Sequence, residues 1–182
     1  MARDYLDINK ILVDRCRSGD SKAQYELYHL YAKAMYNVSM RIVSQESEAE
    51  DILQESFIEA FNRIHEFRGE ATFGAWLKRI VVNRSINYLK KRRLRLVEET
   101  YDNDTIHDEE PGNEDAIQYD VQQVHTAIKA LPEGYRLVLS LYLLEGYDHA
   151  EIAQILNITE STSKSQYNRA KAKVREQLKN KT

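Results

Sequence analysis

The stretch "DHAEIAQILNITESTSKSQYNRAKAKVRE", residues 148–176, decides the fold. Asp148 and Glu151 stand three residues apart at the head of an apolar face, the spacing of an N-terminal capping pair. Ile152, Ile155 and Leu156 make that face, and Ala153 is small enough for another helix to approach closely. Asn157 tolerates the left-handed conformation that a sharp helix stop requires. Ile158 plugs the turn, and Thr159 is a good N-cap for a second helix. Along that helix Ser163, Tyr167, Ala170, Val174 and Leu178 fall on one side at about 100° per residue. Ser161, Ser165, Asn168 and Arg169 fall on the opposite side, with Lys164, Lys171 and Arg175 on its flank. Two helices joined by so short a turn form a helix-turn-helix. Hydroxyl, amide and guanidinium groups can read base edges, and lysines can neutralise phosphates. The same faces also suit a helical hairpin with an ordinary solvated surface.

Why a chain of formal net charge -3 should carry such a unit follows from where its charges lie. Lys78 to Arg95 holds eight Lys/Arg and no Asp/Glu. Glu98 to Asp120 holds ten Asp/Glu and no Lys/Arg. From Glu160 onward there are seven Lys/Arg against two Asp/Glu. Two basic elements therefore flank one acidic segment, and the sum hides both.

Working towards the N-terminus, helical punctuation continues and no strand-like alternation of useful length occurs. Pro132 suits a first turn and Gly146 a stop, which predicts helices over 116–130, 132–145, 149–156 and 160–178. Residues 97–115, "VEETYDNDTIHDEEPGNED", lack apolar periodicity and contain Pro111-Gly112, the composition of a flexible tether. Before it, "DYLDINKILVDRCRSGD" places Leu6, Ile8, Ile11 and Leu12 near one stripe and stops at Gly19. A helix from about Lys22 to Val43 carries Tyr25, Tyr28, Tyr31, Met35, Val38 and Ile42 at helical spacing. Ser47 and Glu50 read as a capping box for a helix whose apolar face runs Leu53, Phe57, Phe61 (or Ala60) and Ile64. The loop "HEFRGEAT" leads into a long helix from about Phe73 to Arg95. The expected fold class is all-α, with two small helical domains at 1–96 and 116–182 joined by the acidic linker 97–115.

Composition narrows the function. The chain has 182 residues, 42% of them hydrophobic, two prolines and six glycines, which suits a mostly helical protein. No run of about 18 apolar residues predicts a membrane span, and the N-terminus lacks a signal-peptide pattern. The single cysteine, Cys16, excludes an internal disulfide and fits a reducing compartment, so the expected location is cytoplasmic. Five dispersed histidines give no zinc spacing, and neither a phosphate-binding loop nor a local nucleophile motif is present. The expectation is a protein that is not an enzyme and needs no catalytic residue, cofactor or metal.

"AEDILQESFIEAFNRIHEFRGEATFGAWLKRIVVNRSINYLKKRR", residues 49–93, resembles region two of bacterial sigma factors of the extracytoplasmic-function group. "ALPEGYRLVLSLYLLEGYDHAEIAQILNITESTSKSQYNRAKAKVRE", residues 130–176, resembles their region four. The two occur in the right order, separated by a linker. The resemblance implies a factor that docks on core RNA polymerase, reads two promoter elements and opens the duplex. Its implied partners are the clamp helices of the largest polymerase subunit, the polymerase flap, promoter DNA and an anti-sigma factor.

Carried over position by position, the resemblance assigns Asp51, Gln54, Glu55 and Ile58 to the clamp helices; without it they read as a solvated acidic face. Phe67, Arg68 and Asn83 match positions that build or border a pocket for a flipped base of the minus-ten element, which needs an apolar wall and polar groups. Asn87 shares a face with Asn83, while Arg79, Arg84, Lys90, Lys91, Arg92 and Arg93 are expected to follow phosphates. Trp76 and Phe73 stay open between core and DNA. In region four the pattern places Lys164, Ser165, Asn168 and Arg169 at the minus-thirty-five major groove; Ser161 joins them by its place on the same face, and Lys171, on the flank, is expected on a phosphate. Ser163 departs from the pattern, standing where the family often has an apolar residue. The tether is either a soluble spacer or a mimic of a nucleic-acid strand in the polymerase channel.

Two other classes compete. A helix-turn-helix regulator with an N-terminal partner-binding domain would bind an operator duplex unaided. It leaves the FRG loop and the basic, Asn-bearing helix behind it without a role. An RNA-binding adaptor would need surface aromatics in a stacking platform, whereas most tyrosines here lie at core spacing.

Overall fold

The computed structural model describes residues 2–99 and 121–179, and side chains within 10–93 and 121–179. The chain divides into two compact units, Met1–Arg92 and Arg93–Thr182. Every regular element among the described residues is a helix.

Unit one holds α1 (Ala2–Arg17), α2 (Ser21–Val43), α3 (Glu46–Asn62), a 3-10 turn (Ile64–Glu66) and most of α4 (Phe73–Glu99), which runs past the division at Arg92. Gly19, at φ +82, reverses the chain after α1, and Asp20 caps α2 by accepting from Lys22 N at 2.9 Å and Ala23 N at 3.3 Å. The core gathers Val13 and Cys16 from α1, Leu27, Val38 and Ile42 from α2, Ile52 and Phe57 from α3, and Leu77, Val81 and Ile86 from α4. Gly74 lets α4 lie close to α2, since a Cβ there would stand 2.7 Å from Tyr31 Cε1.

Several expected details change. Ile11 is 60% exposed, so α1 turns Leu12, Val13 and Cys16 inward instead; Leu6 and Ile8 lie outside the described side chains. Tyr25 is also exposed, and Ala23 and Leu27 take its place in the α2 seam. The α3 capping box is absent because the helix already starts at Glu46. Ser47 therefore sits inside the first turn, with its hydroxyl donating to Glu48 Oε2 at 2.9 Å. Helix α4 runs on to Glu99, so residues 97–99, read as tether, are helical; Val97, Glu98 and Glu99 interrupt nothing. Residues 100–120, with most of the tether and the expected start of the next helix, lie outside the described residues.

Unit two holds α5 (Val121–Lys129), α6 (Glu133–Leu143), α7 (His149–Leu156) and α8 (Glu160–Lys179). Its core joins Ile128, Leu131, Tyr135, Leu139 and Ala170, with Val124, Tyr167 and Val174 packed against it. The turn between α7 and α8 follows the residues that predict it. Asp148 Oδ1 accepts from Glu151 N at 2.8 Å, while Glu151 Oε2 accepts from Asp148 N at 2.9 Å. Asn157 stops α7 at φ 56, ψ 50, and Thr159 Oγ1 caps α8 by accepting from Thr162 N at 3.0 Å.

Candidate nucleic-acid and polymerase interfaces

Helix α3 buries Ala49, Ile52, Leu53, Ser56, Phe57 and Ala60. That periodicity leaves Asp51, Gln54, Glu55 and Ile58 exposed together on its outer side. Ile58 is 61% exposed, so the face offers two carboxylates, an amide and a large apolar side chain to a partner.

The loop after the 3-10 turn is backed by aromatic rings. Phe73 is buried at 2% exposure and half-buried Trp76 stands one turn further along α4. Both rings meet Phe67, at centroid separations of 5.8 Å and 5.5 Å. Phe73 is thereby core, and Trp76 borders both core and loop. Gly69 turns the loop at φ +74, a conformation that favours glycine. A cavity of about 300 Å³ opens between α1 and this loop, lined among others by Lys10, Arg17, Phe67, Arg68 and Gly69. Arg68, Arg79, Asn83 and Asn87 are exposed, as are Lys90, Lys91 and Arg93, while Arg92 is partly covered.

Arg84 is differently placed. It was expected to follow phosphates, but its guanidinium turns to α3, with Nε on Glu59 Oε2 at 2.6 Å and Nη1 on Glu55 Oε2. Glu59 also accepts from Arg63 Nη1 at 2.7 Å, and Arg63 Nη2 reaches Glu66 Oε2 at 2.7 Å. Partial burial pushes the Glu59 carboxyl up, but the bonds from Arg63 and Arg84 outweigh it and hold the group below the usual carboxylate range. Cys16 is buried, and burial with the neighbouring Asp20 carboxylate pushes its thiol up to about 11, which leaves it a poor nucleophile.

In unit two, α8 buries Ser163, Ala170 and Leu178 and leaves Ser161, Lys164, Ser165 and Asn168 exposed. Arg169 and Lys171 are half-buried at the flanks, with Lys171 Nζ 5.6 Å from the Tyr167 ring centre. Lys164 pairs with Glu160 at 2.6 Å along the helix surface. The atypical Ser163 has a partner: its Oγ lies 2.9 Å from His149 Nδ1. The His149 ring stacks on Tyr142 at 4.5 Å and 18°, and Tyr167 meets both rings. This polar and aromatic seam takes over the apolar packing expected at Ser163 and fixes the roll of α8 against α6 and α7.

The sequence reading missed Lys10, Arg17, Glu59 and Arg63. Lys10, Arg17 and Glu59 gain their places only when helices distant in the chain meet, whereas Arg63 is held locally by Glu59 and Glu66, four and three residues away.

This pairing of a four-helix unit with a helix-turn-helix unit is matched by two descriptions of one class. Sigma-70 region 2 matches residues 27–95, and Sigma-70 region 4 matches residues 121–174. The ECF RNA polymerase sigma-E factor of Haemophilus influenzae is 34% identical, over 95% of this chain and 94% of that one. The RNA polymerase sigma-H factor of Pseudomonas aeruginosa is 31% identical, over 88% of each. Among solved structures, CnrH in complex with the cytosolic domain of CnrY shares the fold. Its TM-score is 0.57 at 22% identity, covering 96% of this chain and 99% of that one. The sigma factor RpoE of Bartonella quintana, solved with the anti-sigma factor NepR, aligns with TM-score 0.56 at 23% identity, covering 85% and 96%. The chain belongs to the sigma-70 family of RNA polymerase sigma factors, in the extracytoplasmic-function group.

Proposed function

We propose that this sigma factor binds core RNA polymerase through the exposed face of α3 and reads a promoter with two separate surfaces. Asp51, Gln54, Glu55 and Ile58 meet the clamp helices of the largest subunit, where carboxylates and an apolar side chain suit a basic, partly apolar helix. Phe67 and Arg68 at the loop, with Asn83 and Asn87 on α4, hold a base flipped from the minus-ten element, and Arg79 follows the adjoining backbone. Arg84 is left out of that set because Glu55 and Glu59 occupy its guanidinium.

Helix α8 enters the major groove of the minus-thirty-five element. Ser161, Lys164, Ser165, Asn168 and Arg169 face base edges, and Lys171 lies towards a phosphate. The factor supplies recognition and strand separation and leaves bond-making to the polymerase. In this reading residues 1–99 carry core binding and melting, 100–115 are the tether, and 116–182 carry duplex recognition and contact the flap. The site of action is the cytoplasm; no helix among the described residues is long and apolar enough to cross a membrane. The Bartonella relative was solved with an anti-sigma factor, and a partner of that kind is proposed here too.

The observation that carries this reading is the joint exposure of Asn83 and Asn87 on a basic helix of one unit and of Ser161, Ser165 and Asn168 on the other. Asn83→Ala is the test. It should impair opening and minus-ten discrimination on a promoter loaded with polymerase, while duplex binding through unit two stays intact. A permanganate footprint showing full opening by that variant would remove Asn83 from the pocket.

A further inference from the structure

The loop that carries Phe67 and Arg68 is tied to the helix that begins the chain. Arg17, the last residue of α1, donates through Nη2 to the carbonyl oxygen of Phe67 and through Nε to that of Ile64 at 3.5 Å. Its remaining terminal nitrogen, Nη1, is fixed on Asp14 Oδ1 at 2.7 Å. Ile64 begins the 3-10 turn and Phe67 caps its end, so one guanidinium reaches from its first residue to its cap. A planar fork suits two carbonyl acceptors; an ammonium, a point charge on a flexible stem, cannot hold both in the same geometry.

The consequence reaches the cavity. Its volume of about 300 Å³ lies at the small end of ligand sites and is sufficient for one base. Among the described residues, Lys10, Arg17 and Arg68 line it against one carboxylate, Asp14, so their charge favours a nucleotide's phosphate side. Phe67 supplies an aromatic wall, and the height of that wall depends on the carbonyl Arg17 holds. From Phe67 the contact passes to Trp76 at 5.5 Å and Phe73 at 5.8 Å.

We propose that Arg17 is a positioning residue for the flipped-base pocket: its bonds to the Ile64 and Phe67 carbonyls set the loop at the height where Phe67 can wall a base. The proposal rests on the minus-ten reading given above and adds to it a residue of α1. Asp14 holds Arg17 in turn, and Lys10 faces the same cavity as a source of charge.

The test uses the full-length chain and a pool of single-stranded DNA, about ten nucleotides long and randomised in sequence. Trp76 is the only tryptophan, so its fluorescence reports the loop directly. Recovered DNA is sequenced to give the preference. The wild type should enrich one short sequence and bind it with a change in Trp76 emission. Arg17→Lys and Arg17→Ala should both lose about tenfold on that sequence, the scale of one or two hydrogen bonds, with a loss on the unselected pool below about twofold. Arg17→Lys keeps the stem and the charge, so it serves even if the alanine variant folds poorly. A lysine variant that selects and binds like the wild type would show that charge alone suffices and would overturn the positioning role. So would an alanine variant with unchanged preference. If the wild type itself enriches nothing, the minus-ten reading falls and takes the proposal with it.

Discussion

Charge reversal on α3 separates polymerase binding from stability, because two neighbouring carboxylates on one face have different second duties. Asp51 and Glu55 are both exposed on the side proposed for the clamp helices. Glu55 also accepts from Arg84 of α4, while Asp51 takes no part in that network. The Glu55 side chain is 62% exposed and that of Arg84 33%, so the pair itself contributes only about 0.2–1 kcal/mol. Glu55→Lys removes it and sets an ammonium beside the guanidinium, a repulsion of about 1 kcal/mol at about 4 Å in a water-like medium. Arg84 keeps Glu59 at 2.6 Å, which limits the damage. The total is about 1–2 kcal/mol, and for a unit of this size each kcal/mol lowers Tm by about 4–8 °C. Asp51→Lys should stay within about 0.5 kcal/mol of the wild type, as exposed substitutions usually do. Competition binding to core polymerase and scanning calorimetry on the same samples give the comparison. Both variants should bind core about tenfold or more weakly, the scale of an interfacial charge pair, and only Glu55→Lys should melt early. An Asp51→Lys variant that binds core like the wild type would refute the assignment of the face, and a Glu55→Lys variant that melts with the wild type would refute the bridge to Arg84.

Three further outcomes follow from single residues. Gly69→Ala meets nothing within 4 Å, so its cost is that of φ +74 alone, about 1 kcal/mol; it should lower Tm by about 4–8 °C and alter Trp76 emission through the loop. Glu59 has its folded pKa held below the unfolded value, so its contribution is fully present above the ordinary carboxylate range and is lost as pH falls through the depressed value. Melting curves from pH 6 down to about 3 should therefore converge for wild type and Glu59→Gln, and a constant gap would contradict the linkage. Arg169→Ala should lose about 1–3 kcal/mol on a cognate duplex and relax preference at one base, whereas Lys171→Ala should weaken all duplexes alike and lower the salt slope by about one. Anisotropy titrations across salt distinguish them, and equal sequence-independent losses would remove Arg169 from the reading face.

Unit two was the more legible half because its signals are local. The Asp148 and Glu151 cap, the Asn157 stop and the Thr159 cap each depend on residues within four positions of one another, and each stands where the sequence puts it. The similar spacing of Ser47 and Glu50 misled because a capping motif does not say whether its first member stands at the cap or one turn inside. Tyrosine misled at position 25 for a different reason: its ring counts as apolar in a periodicity, yet its hydroxyl lets it face water. The exposed face of α3 and the exposed asparagines of α4 could be anticipated from helical spacing once the buried stripe was known. What spacing cannot supply is the partner of a long charged side chain. Arg84 meets carboxylates 25 and 29 residues away, and Arg17 meets a carbonyl 50 residues away. Such contacts are decided by which helices pack together.

The most direct measurement is run-off transcription from a genomic promoter library by core RNA polymerase, with and without this protein. The account predicts new transcripts only when it is added, from start sites sharing one upstream and one downstream element, and their loss with Asn83→Ala or with charge reversal at Asp51. Transcripts identical to those of core polymerase alone would contradict it.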